Sequence, residues 1–68
     1  MYYDEAILLV KEGYHIQRQS WGDSYIYMDD SGNIKYISIN RINGHCITFN
    51  IDYYPSKSDL SADDWKEK

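Results

Sequence analysis

Sixty-eight residues carrying a net charge of −4, eight tyrosines, two tryptophans and one cysteine define a single small domain, 1–68, whose core alone supplies only a few kcal/mol of stability. Cys46 has no partner for an internal disulfide, no Cys/His cluster has zinc-site spacing, and no basic start or apolar run approaches a signal peptide or membrane span. The expectation is therefore a chain of the reducing cytoplasm with no metal, cofactor or membrane partner. The acidic balance argues against direct nucleic-acid binding, which needs a basic stripe. The tyrosines suit an interface or a ligand pocket, and equally suit half-buried strand positions.

In chain order, residues 4–12 have helical spacing. Ala6, Leu9 and Val10 form one stripe, widened by Ile7 and Leu8, with Asp4 as N-cap, Gly13 as C′ and Lys11 near the negative pole. Tyr3 and Leu8 are placed to form a hydrophobic staple. Tyr14–Gln19 alternates as a strand with Tyr14, Ile16 and Arg18 on one face. An Arg there needs an anionic partner or must run its stem out to water.

Ser20-Trp21-Gly22-Asp23 reads as a turn with Trp21 at the tip of a hairpin, and Tyr25–Met28 is the returning strand. Asp29-Asp30-Ser31-Gly32-Asn33 is a further turn. Asn43-Gly44 is a type I′ hairpin signal that pairs 37–42 with 45–50. In the last strand Ile47, Phe49, Ile51 and Tyr53 share a face expected in the core, opposite Cys46, Thr48, Asn50 and Asp52. Ile34 and Tyr36 fall opposite Ile37 and Ile39, so this strand has apolar residues on both faces, which a bulge or a second subunit would explain.

The stretch from Tyr53 to Trp65 concentrates turn and cap chemistry. Pro55 ends the strand, Ser56 and Ser58 can accept backbone N–H bonds, and a helical turn at about 58–63 follows. Trp65 is the anchor that returns the chain to the domain, leaving Lys66, Glu67 and Lys68 to fray. The sum is an α+β domain: an N-terminal helix, a four-stranded antiparallel meander sheet and a short C-terminal helical turn.

No catalytic constellation stands out. His15 and His45 have no adjacent nucleophile, Cys46 lies in mid-strand, and Asp29-Asp30 and Asp63-Asp64 are sequence neighbours that diverge in space. Trp21, Arg18, Tyr53 and Asp59 are a more useful set. Aromatics that stack a purine, an Arg that forks onto phosphate and a carboxylate that accepts ribose hydroxyls meet a nucleotide's needs. As lids on a small core, the same aromatics need no ligand.

Two blocks resemble a known family. The first is Tyr3, Glu5-Ala6, Gly13, Ile16, Arg18 and Trp21; the second is Tyr53-x-Pro55-Ser56-x-x-Asp59-x-x-Ala62-x-Asp64-Trp65. Together they look like the phage-encoded Thoeris anti-defence two family, which also includes a type II-A anti-CRISPR protein. The chain departs from the family pattern in having Tyr53 for a second Trp, and a compact Asn43-Gly44 hairpin where typical members have a longer middle segment.

The resemblance implies a small non-enzymatic α+β protein of the host cytoplasm. It would act as a homo-oligomer, a dimer or dimer of dimers, and sequester a nucleotide second messenger of the cyclic ADP-ribose or cyclic oligonucleotide type. It carries Arg18, Trp21, Tyr53, Ser56 and Asp59 across as ligand-binding candidates and Trp65 as structural anchor. The alternative is an anti-CRISPR or other inhibitor whose acidic surface occupies a bacterial defence protein.

Overall fold

A computed structural model describes all 68 residues. Helix α1 spans Tyr3–Lys11. Strands β1 (Ile16–Arg18), β2 (Tyr25–Met28), β3 (Ile34–Ile42) and β4 (His45–Asp52) follow, then helix α2 (Lys57–Ser61) and strand β5 (Trp65–Glu67). All pairings are antiparallel, in the order β4-β3-β2-β1-β5. The fold is the expected α+β arrangement with five strands instead of four.

Helix α1 begins earlier than its acidic residues suggest. Tyr2, not Asp4, is the N-cap, in extended backbone and with no side-chain capping bond; Asp4 and Glu5 lie in the first turn, where carboxylates face the positive pole of the helix. The start is set from outside the helix. The Met1 amino group donates to the carbonyls of Asp63 and Trp65, and the Trp65 N–H donates to Met1 O. The staple does not form, since Leu8 is 63% exposed and Tyr3 packs against Trp65 instead. The stop is as expected: Gly13 sits at φ 104°, its N–H bonds Val10 O, and the Tyr14 N–H bonds Leu9 O. That bond pair is a Schellman motif, which requires the left-handed residue glycine adopts readily.

Ala6 and Val10 of α1 bury themselves against Ile16, Ile26 and Trp65, and these five residues form the core. The helix lies across β1, β2 and β5. It does not reach β4, every residue of which is exposed. The expectation that Ile47, Phe49 and Ile51 enter the core is therefore corrected: a nine-residue helix is about 14 Å long, too short to roof the outer strands.

The hairpin at Asn43-Gly44 forms in the expected register, with Ile37 opposite Asn50 and Ile42 opposite His45. Asn43 at φ 50° and Gly44 at φ 78° are the two left-handed positions a type I′ turn needs. Asp29 closes the preceding turn by accepting from the N–H groups of Ser31 and Asn33.

The C-terminus does not fray. Gln17 pairs with Lys66 and Ile16 with Glu67, and the Lys68 N–H donates to His15 O. Strand β1 would otherwise present an open edge, and nothing in Lys-Glu-Lys announces the strand that fills it. β1 itself is shorter than read from alternation, because Tyr14 lies before it and Gln19 opens a 3₁₀ turn, Gln19–Trp21.

Trp65 is 2% exposed at the centre of this closure. Its replacement by Ala is expected to lower unfolding free energy by about 3–5 kcal/mol, the range for truncating a buried large aromatic. Urea denaturation followed by circular dichroism measures this, and a loss below about 1 kcal/mol would show that the C-terminal strand is dispensable.

Candidate functional site

Ser56 is the N-cap of α2 in a full capping box: its Oγ accepts from the Asp59 N–H, and an Asp59 carboxylate oxygen accepts from the Ser56 N–H. This reciprocal pair fixes the Asp59 carboxylate before any tertiary contact is made. Three remote residues then converge on it. Arg18 Nη1 donates to Oδ1 at 3.2 Å, and the Tyr53 hydroxyl donates to Oδ2 at 3.0 Å. The indole Nε1 of Trp65 donates to the Asp59 backbone carbonyl at 3.1 Å. Arg18, Tyr53, Ser56, Asp59 and Trp65 thus belong to one bonded network.

Arg18 is held at three points. Besides Asp59 it donates through Nε to Asp64 Oδ1 at 2.9 Å and through Nη1 to Ser58 Oγ at 3.1 Å. Its guanidinium serves internal carboxylates and does not line the cleft described below. Hydrogen bonding to this guanidinium holds the Asp64 carboxyl below its ordinary range. Burial, reinforced by the bond to Asp59, pushes the Tyr53 phenol far above its ordinary value, so Tyr53 is a hydrogen-bond donor at every physiological pH.

Trp21 does not occupy a hairpin tip. The 3₁₀ turn folds its indole back over the sheet, edge-on to Trp65 at 5.2 Å and to Tyr36 at 5.1 Å. Gln17, buried beneath the turn, pins it by donating from Nε2 to the carbonyls of Gly22 and Ser24. Tyr53 completes the group, 6.3 Å from Trp21 and stacked with Tyr36 at 6.4 Å. Trp21 is therefore packed against the core, which corrects its placement at the tip of a hairpin.

These rings border an open cleft of about 360 Å³ lined by Trp21, Tyr36, Ile51, Asp52, Tyr53, Tyr54 and Asp59. Trp21, Tyr53 and Asp59, grouped by their chemistry in the sequence, line this cleft together within one chain. Ser56 stands behind the wall as a cap. Tyr36, Ile51, Asp52 and Tyr54 were missed. Tyr36 was within reach, because the Asn43-Gly44 register already sets it opposite Ile51. The lining holds two carboxylates and no Lys, Arg or His, and Asp52 is engaged by Lys35 Nζ at 2.6 Å.

The model of one family, described as the Thoeris anti-defense 2-like (Tad2-like) domain, matches residues 1–67. The chain belongs to this family. Membership gives the Tad2-like chain a Thoeris anti-defence role of phage origin. No curated protein and no solved structure gave a significant match. No helix is long and apolar enough to cross a membrane.

Because the folded-state pKa of Asp64 lies below its unfolded value, its pairing with Arg18 contributes fully above about pH 4 and is lost as pH falls through the folded value. Asp64→Asn is expected to be less stable than the parent at pH 6 and to show a shallower decline in urea midpoint towards pH 3; parallel declines would remove Asp64 from the acid response. Trp21→Ala is expected to lose about 1–3 kcal/mol of stability as a half-buried aromatic, whereas Trp21→Phe keeps most of it by thermal melting.

Proposed function

We propose that this Tad2-like protein binds a nucleotide immune signal in the Trp21–Tyr53 cleft and holds it without turnover, acting as a homo-oligomeric sponge. The observation that carries the reading is the cleft's composition, with four aromatic rings around a fixed carboxylate. Base–aromatic stacking contributes about 1–3 kcal/mol per base and tolerates different bases. Trp21 and Tyr54 are the rings offered for stacking: Tyr54 is 82% exposed, and Trp21 is half-buried on the cleft wall.

Asp59 is the group that orients the sugar. Three of the roughly four acceptor positions of a carboxylate are filled by Arg18, Tyr53 and Ser56, which leaves one for a ribose hydroxyl. Such a carboxylate is held as an acceptor and cannot swing to take a proton, which suits capture better than cleavage. Arg18 acts in this reading by positioning Asp59, with Ser56 fixing it from the helix side.

Isothermal titration against ADP-ribose isomers and cyclic dinucleotides tests the proposal. At least one is expected to bind and to be recovered intact. Trp21→Phe should weaken it less than Trp21→Ala, which should lose roughly 10- to 100-fold through lost stacking. Absence of heat across the panel would sink the reading and favour a protein-directed inhibitor; recovery of a cleaved nucleotide would replace the sponge with an enzyme.

A further inference from the structure

Strand β4 is one of the two edge strands of the sheet, and it lacks the usual protections. Eight residues, His45–Asp52, run in unbroken register against β3 with no Pro, Lys or Arg among them and no bulge, the devices by which edge strands avoid pairing. Its polarity also differs from the rest of the chain. In a protein of net charge −4, the only carboxylate on β4 is that of Asp52, which Lys35 pairs with at 2.6 Å, so two acidic copies can meet here without opposing like charges.

The direction of the free backbone groups follows from the hairpin. A two-residue turn is closed by a hydrogen-bonded pair, here Ile42 and His45, and such pairs alternate along the ladder. The bond from the Tyr53 N–H to Ile34 O continues the same alternation. His45, Ile47, Phe49 and Ile51 therefore bond inward to β3. Cys46, Thr48, Asn50 and Asp52 aim their N–H and C=O groups at the open edge.

We propose that β4 pairs antiparallel with β4 of a second copy, about a twofold axis at Phe49. A twofold axis between antiparallel strands sets residues of the same face opposite each other, and this choice of axis is the self-complementary one. Phe49 meets the partner's Phe49, and Ile47 meets the partner's Ile51, both at non-hydrogen-bonded positions where side chains approach most closely. On the other face Thr48 meets the partner's Asn50 and Cys46 meets the partner's Asp52. The row of Ile47, Phe49 and Ile51, exposed at 41%, 54% and 52%, becomes a continuous apolar stripe across two sheets.

This register also changes the cleft. It carries the partner's His45 beside Tyr53, on the face where Trp21, Tyr36 and Ile51 form the cleft wall. The cleft's own lining has no Lys, Arg or His, and an anionic ligand needs a donor that Arg18, bound to two carboxylates, does not free. The partner's His45 supplies one. This last step rests on the proposed nucleotide binding, whereas the strand pairing does not.

The test uses disulfide trapping in a Cys46→Ser background together with light scattering. Phe49→Cys is expected to give a covalent dimer under mild oxidation, Ile47→Cys alone to give little, and Ile47→Cys combined with Ile51→Cys to give a doubly linked dimer. Phe49→Lys, folded by circular dichroism, should halve the mass measured for that interface. His45→Ala should weaken cyclic ADP-ribose or a cyclic dinucleotide bound by the parent by roughly tenfold while leaving the mass unchanged.

A monomeric parent at micromolar concentration, or efficient trapping through Ile47→Cys alone, overturns the pairing. Unchanged affinity in His45→Ala overturns the role of the partner's imidazole. A trapped dimer that binds no nucleotide refutes the sponge and leaves the pairing intact, and a nucleotide-binding monomer refutes the pairing and leaves only the nucleotide binding in the cleft.

Discussion

The carboxylate of Asp59 is the constraint on which the rest of this structure depends. It caps its own helix through Ser56, receives the Arg18 guanidinium from β1 and receives the Tyr53 phenol from the end of β4. Its backbone carbonyl holds the indole of Trp65. A charge with little solvent access is costly unless paired and bonded, and Asp59, with 13% of its side chain exposed, has partners on both oxygens. One residue thereby joins the first strand, the end of the fourth strand, the second helix and the C-terminal anchor.

The small size of the domain explains why so much rests on that junction. Only five hydrophobic residues are buried, Ala6, Val10, Ile16, Ile26 and Trp65, and a core of that size cannot by itself orient a loop-rich C-terminal third. Aromatic edges extend the core outwards through Tyr3, Trp65, Trp21, Tyr36 and Tyr53. The same rings that seal the core at one end form the cleft at the other. The core and the cleft therefore share residues, and rigidity of the cleft is a by-product of how the domain is closed.

The two ends of the sheet have opposite physical characters. At the β5 end the edge is short, and Lys66 and Glu67 are exposed along it, which discourages further pairing. At the β4 end the edge is long, uncharged apart from a neutralised Asp52 and flanked by exposed Ile and Phe. Helix α1 packs on β1, β2 and β5 at the first end, whereas every residue of β4 at the second is exposed.

What the sequence by itself determined lies within short windows of chain. Gly13 stops the helix because its left-handed φ is costly for other residues, Asn43-Gly44 sets the β3–β4 register for the same reason at two positions, and Ser56 with Asp59 starts α2. The two motif blocks placed Trp21, Tyr53 and Asp59 in one site and named the family.

Tertiary structure alone decided the rest. Arg18 has an anion as expected, yet which anion depends on where α2 lands, and it lands with Asp59 and Asp64 in reach. Trp21 turns inward because Gln17 and Trp65 receive it, and β5 exists because β1 has a free edge; neither cause is local. Whether Ile47, Phe49 and Ile51 are core or surface was beyond their alternation, since a strand pattern specifies which residues share a face and only the length and position of the covering helix specify whether that face is covered.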